Sequence, residues 1–217
     1  MDLLDVRRSG VILALDVTDR ERGLEIAEAA SPHIDAVKTG YPLILSAGLD
    51  VLSELKRLGK PVIADLKVAD VPHVSAGICR LAVEAGADYV IVQGFLGRDV
   101  VEACSEVARV FVVADMSHPG AEDYLSGHSR EIAEHARGFA AGIVAPATRP
   151  QTIKTLRPIV GDLPIISPGV KAQGAAVGSA LSAGADFEIV GRAIYNAPEP
   201  DKAAEEIAAR IKELNVL

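Results

Sequence analysis

Eight short apolar runs at nearly even intervals constrain this chain more than any other feature. They are GVILALD (10–16), IDAVKTG (34–40), PVIADLK (61–67), ADYVIVQG (87–94), VFVVADM (110–116), AAGIVAPA (140–147), LPIISPGV (163–170) and DFEIVGRA (186–193). Their starts lie about 25 residues apart, the length of one strand, loop and helix. The runs are apolar throughout rather than alternating, which is how strands buried on both faces read. Helical patterns fill the gaps. Leu24, Ile26, Ala27 and Ala30 gather on one side of 20–30, and Leu49, Leu52, Leu55 and Leu58 recur in 49–59 ahead of Gly59. The segment 75–88 ends the same way at Gly86. Pro200 opens a last helix carrying Ala204, Ile207, Ala208, Ile211 and Leu214 on one face. Eight such units predict an α/β fold, a (β/α)8 TIM barrel. An open doubly wound sheet is the alternative, and eight regular units favour closure. No linker or composition break divides residues 1–217, so a single domain is expected.

Composition narrows the function. With 30 acidic and 22 basic residues the formal charge is −8. No cationic excess is available to displace phosphate counterions, so nucleic acid is not an expected partner. The two cysteines, Cys79 and Cys104, lie in no CxxC or Cys/His cluster, and no metal site is expected from them. The N-terminal apolar run stops at Asp16, too short for a secretory core. The longest uncharged run, 172–185, is rich in glycine and serine and is no membrane span. A soluble, cytoplasmic protein is expected.

Barrel active sites gather at the C-terminal ends of the strands. The polar residues there are Asp16; Lys38 and Thr39; Asp65, Lys67 and the nearby Asp70; Gln93; Asp115, Ser117 and His118; Ser167; and Arg192. Strand residues two apart share a face, so Asp65 and Lys67 should stand together at the rim. Lys38 from the neighbouring strand and Asp70 from the following loop extend this to an alternating array of Lys38, Asp65, Lys67 and Asp70. Four charges at the ends of apolar strands point to chemistry more than to an ordinary ion-pair network. A second constellation is anion-binding. The loops after strands 7 and 8 read PGVKAQGAAVG and VGRA, where glycines admit an anion to the backbone and Gln173 and Arg192 supply donors. Ser117 has no adjacent base and reads as a hydrogen-bonding hydroxyl. His118-Pro119-Gly120 reads as a turn.

The run Asp65-Leu66-Lys67-Val68-Ala69-Asp70 resembles the Asp-x-Lys-x-x-Asp signature of the orotidine 5′-monophosphate decarboxylase family. LALDVTD (13–19), VKTGYPLIL (37–45), DMSHPGAE (115–122), SPGVKAQG (167–174) and IVGRAIY (189–195) resemble further family blocks in family order, in a short form like that of the archaeal branch. The resemblance implies decarboxylation of orotidine 5′-monophosphate to UMP and CO2, the last step of de novo pyrimidine nucleotide synthesis. It implies a homodimeric barrel with no metal or organic cofactor. It implies that Lys67 protonates C6, that Asp65 faces the substrate carboxylate, and that Asp16 and Lys38 meet the ribose. Asp70 would enter the partner's site. Ser117 would bond the pyrimidine beside Pro168, Gly169 and Val170, and Gln173, Gly191 and Arg192 would hold the phosphate. Val74 departs from a threonine common in the archaeal pattern, and it lacks the hydroxyl that would reach the partner's ribose site.

Two rivals share features with this reading. The 3-keto-L-gulonate 6-phosphate decarboxylases and hexulose phosphate synthases carry the same signature but use magnesium, with a glutamate ligand at the end of strand 2. This chain has Lys38 there, and a cation is a poor neighbour for Mg2+. A nucleotide-binding barrel without chemistry is the other, and the intact Lys67, Asp65 and Asp70 weigh against it.

Overall fold

The computed structural model describes residues 2–216. Eight parallel strands close into a barrel in sequence order: β1 (Val11–Leu15), β2 (Ala36–Gly40), β3 (Val62–Val68), β4 (Tyr89–Gln93), β5 (Val110–Val113), β6 (Gly142–Val144), β7 (Ile165–Pro168) and β8 (Phe187–Val190). β8 pairs back onto β1 through Ile12 and Ile189. All eight expected strands are present, and the open-sheet alternative falls. Every residue of β1, β2, β4, β5, β6 and β8 is buried. One face packs into the barrel and the other under the helices, so neither could be polar without loss.

The helices sit where the periodicity puts them. Arg20–Ala30 is capped by Asp19, whose side chain accepts from the Arg22 N–H. Leu52 and Leu55 are fully buried on Val51–Lys56, and Gly59 takes a φ of +73° beyond its end. Pro200 stands in the first turn of Pro200–Glu213, which buries Ala204, Ile207 and Ile211. The eightfold rule loosens late in the chain. After β7 only the four-residue helix Ser179–Ser182 remains, because the preceding residues are given to a loop over the barrel mouth. Among the described residues no helix is long and apolar enough to cross a membrane.

The N-terminal end of the barrel is plugged. Tyr89 and Phe187 start their strands, Phe111 is the second residue of β5, and all three are fully buried there with Leu3, whose N–H donates to the Tyr89 hydroxyl at 2.9 Å. The Tyr89 and Phe111 rings lie 5.2 Å apart. Gly142 makes room for this: a Cβ on it would fall 2.3 Å from Phe111 Cε1 and 2.6 Å from the Pro164 carbonyl. The plug leaves the opposite end as the place for a site.

Candidate active site

β3 carries the central charges, and its backbone departs from a regular strand to do so. Pairing with β4 runs Ile63 to Tyr89 and Ala64 to Val90, then jumps to Val68 opposite Val92. Asp65, Leu66 and Lys67 thus occupy a bulge, and Lys67 adopts a φ of +41°. Simple alternation is therefore not what brings Asp65 and Lys67 to one face; a local left-handed kink is. A non-glycine residue held this way costs about 1–3 kcal/mol, which the surrounding structure must offset. The Tyr41 hydroxyl helps by donating to the Leu66 carbonyl, one residue before the kink.

The result is a carboxylate shared by two ammonium groups. Lys67 Nζ lies 2.7 Å from Asp65 Oδ1, and Lys38 Nζ lies 2.6 Å from Asp65 Oδ2. Asp16 Oδ1 stands 3.7 Å from Lys38. Lys38 and Asp65 are buried, whereas the Lys67 side chain keeps 36% of its exposure and faces the cavity. Burial pushes the Asp65 carboxyl up, but Lys38 and Lys67 together outweigh it and hold the group below the usual carboxylate range. Burial likewise pulls Lys38 down, and Asp65 and Asp16 more than reverse it, leaving the ammonium above its ordinary value. Both groups are therefore charged at neutral pH.

These directions set a pH window. The lowered Asp65 stabilises the fold above the ordinary carboxylate range, and that contribution fades as pH falls through its lower native value. The raised Lys38 stabilises the fold below its ordinary value and fades as pH rises through the higher native one. The unfolding free energy of the wild type, relative to a Lys38→Met/Asp65→Leu variant, is expected to be flat from about pH 5 to about pH 9 and to fall at both ends. Urea titrations across that range read it directly. A difference that keeps rising toward acid would contradict the charge assignment.

Asp70 does not join the array within the chain. It is exposed, its carboxylate accepts from the Val71 N–H at 2.7 Å, and its backbone is tied to Ser75 ahead of the helix Pro72–Glu84. The expected run of four charges is three here, Lys38, Asp65 and Lys67, with Asp16 as the second acid. The physical reason is position: Asp70 lies two residues beyond the end of β3, exposed and outside the cavity lining. Val74 is half-buried on the first turns of that helix.

The remaining expected residues line one cavity of about 240 Å³ at the C-terminal mouth. Asp16, Lys38, Asp65, Lys67 and Ser117 line it together with Pro168, Gly169, Val170, Gln173, Gly191 and Arg192. Gly169 has a φ of +109°, and a Cβ there would lie 3.0 Å from Gln173 Oε1, so the loop after β7 folds tightly on itself. Arg192 opens the short helix after β8, is exposed, and donates to the Ala172 carbonyl of that loop at 3.1 Å. Gln93 and Ser167 end their strands buried but outside the cavity lining; Gln93 Nε2 instead meets the Met116 sulfur at 3.8 Å.

Sequence reasoning missed two things. The cavity floor is apolar, built from Ile91, Val113, Met116, Val144 and Ile189. It also passed over strand 6, whose following loop carries Arg149. That guanidinium holds the buried Asp115 at 3.1 Å and bonds the loop bearing Ser117. An arginine fixed just ahead of Pro150 was the available signal.

Fold and site together define a (β/α)8 barrel protein with acid–base groups and an arginine–glycine cradle at one mouth. The family model described as orotidine 5′-phosphate decarboxylase / HUMPS matches residues 9–207. A curated relative from Methanosarcina mazei, orotidine 5′-phosphate decarboxylase, is 54% identical over 95% of this chain and 96% of its own. The namesake from Thermococcus kodakarensis is 44% identical over 96% of this chain and all of its own. Among solved structures, orotidine 5′-monophosphate decarboxylase from Methanocaldococcus jannaschii complexed with the inhibitor BMP superposes with a TM-score of 0.88. It is 40% identical and covers 93% of this chain and 97% of that one. The chain belongs to the orotidine 5′-phosphate decarboxylase / HUMPS family.

Proposed function

We propose that the chain removes CO2 from orotidine 5′-monophosphate to give UMP, acting in the cytoplasm as a homodimer and without metal or organic cofactor. The observation that carries the reading is the shared Asp65 carboxylate, which tethers the Lys67 amine at 2.7 Å in a cavity that Arg192 also lines. The names of the relatives support the substrate.

The C6–carboxylate bond breaks, CO2 departs, and the electron pair stays on C6 in the plane of the ring, out of reach of its π system. The Lys67 ammonium offsets that charge and passes a proton to C6. Asp65 keeps Lys67 aimed through their 2.7 Å contact, and it crowds the departing carboxylate. Lys38 and Asp16 take the ribose hydroxyls. Ser117 bonds the pyrimidine, with Pro168, Gly169 and Val170 alongside. Gln173, Gly191 and Arg192 hold the phosphate, whose binding energy closes the loop after β7 far from the reacting carbon. Asp70 serves the partner's site, in keeping with its outward position in a single chain.

The test is loss of orotidylate ultraviolet absorbance with EDTA present. Turnover supports the reading. Activity only on a sugar phosphate with Mg2+, or UMP binding without turnover, overturns it. Sharing of Asp70 is read by mixing Lys67→Ala and Asp70→Ala subunits. Random pairing makes half the dimers mixed, with one of their two sites intact, so about a quarter of wild-type activity should return. No recovery after demonstrated exchange would remove Asp70 from the partner's site.

A further inference from the structure

We propose that Arg149 is a positioning residue for the pyrimidine-binding loop: its guanidinium grips the backbone on both sides of Ser117 and so fixes where that hydroxyl stands. The inference rests on the role given to Ser117 above.

Residues 114–120 join β5 to the helix Ala121–Tyr124 with neither strand nor helix of their own. Ser117 lines the cavity from the middle of this stretch. Its hydroxyl takes no hydrogen bond among the described residues, so backbone alone sets its position. Arg149 reaches that backbone from the next loop round the barrel. Nη1 donates to the Met116 carbonyl at 2.9 Å, and Nη2 donates to the His118 carbonyl at 3.2 Å. The two bonds straddle Ser117.

The grip is itself anchored. Nη1 also meets Asp115 Oδ1 at 3.1 Å and Ser126 Oγ at 2.7 Å. Asp115 is 1% exposed and accepts further bonds from the Met116 N–H and from Ser126. The backbone of Arg149 takes φ −125° and ψ 69°, outside the helical region, ahead of Pro150, which opens the next helix. An ordinary buried ion pair would need only the contact to Asp115. The planar fork is what lets one side chain serve the acid and the carbonyls of Met116 and His118, two residues apart, and a lysine cannot copy it.

The experiment is a double-mutant cycle of Arg149→Lys and Ser117→Ala, read in kcat/KM for orotidylate and in UMP affinity. Lysine keeps Asp115 neutralised while releasing the carbonyls. Each single change is expected to lower kcat/KM about 30-fold. The double variant should lose no more than about threefold beyond the worse single one, because the arginine acts through the hydroxyl. Arg149→Met/Asp115→Asn removes the buried charges together and should reproduce the Arg149→Lys loss in a folded protein. Losses that multiply, or wild-type kinetics in either Arg149 variant, overturn the inference and leave the activity reading intact. A Ser117→Ala protein with wild-type kinetics overturns both the Ser117 role and this inference. A wild type that binds UMP without turnover overturns the activity reading alone, and the cycle is then decided in UMP affinity.

Discussion

Replacement of Lys67 by alanine is expected to lower kcat/KM for orotidylate by about 10⁵-fold. On the proposed mechanism two losses combine: the proton donor, worth roughly 10²–10⁴, and the preorganised positive charge, worth roughly 10²–10³. The fold should scarcely notice. The Lys67 side chain is 36% exposed and faces an open cavity. Stability is expected to move by about 1 kcal/mol or less, and UMP should still bind, since Gln173, Gly191 and Arg192, the residues proposed to hold its phosphate, are untouched. The measurement is steady-state decarboxylation alongside urea unfolding. A Lys67→Ala enzyme within tenfold of wild type would refute the mechanism.

Asp65→Ala carries the second large effect, and it falls on stability and turnover together. The substitution leaves Lys38 buried with only the half-exposed Asp16 at 3.7 Å, and it leaves Lys67 without its tether. Removing one member of a buried pair costs about 3–5 kcal/mol, since an uncompensated charge remains. The urea midpoint should therefore drop sharply. Activity should fall as well, because nothing then aims the ammonium. The two consequences separate in Lys38→Met/Asp65→Leu. Taking both charges out together should restore most of the stability while leaving the enzyme inactive. Recovery of turnover in that variant would show that Asp65 serves the fold alone.

Much of this was legible before any coordinates. The strands could be read because both of their faces are buried, which forces unbroken apolar runs such as Val11–Leu15. The mouth could be read because polar residues following such runs have nowhere else to go. Asp16, Lys38, Asp65 and Lys67 all reach one cavity. What resisted reading was backbone geometry that no side-chain pattern encodes. The register jump between Ala64 and Val68 and the left-handed Lys67 leave no trace in hydrophobicity. Asp70, exposed beyond the end of β3 with its carboxylate on the Val71 N–H, likewise departs from the expectation of four contiguous charges within one chain. Arg149 stayed hidden because it acts across a loop, five residues beyond the end of β6.

The sealed floor of Leu3, Tyr89, Phe111 and Phe187 has a consequence for traffic. Among the described residues these buried side chains fill that end of the barrel. With that end filled, the cavity at the opposite mouth serves arrival and departure alike, so whatever guards entry also governs exit. A faster latch would hasten capture and departure alike, whereas a tighter one would trap the spent nucleotide as firmly as it secures the fresh one.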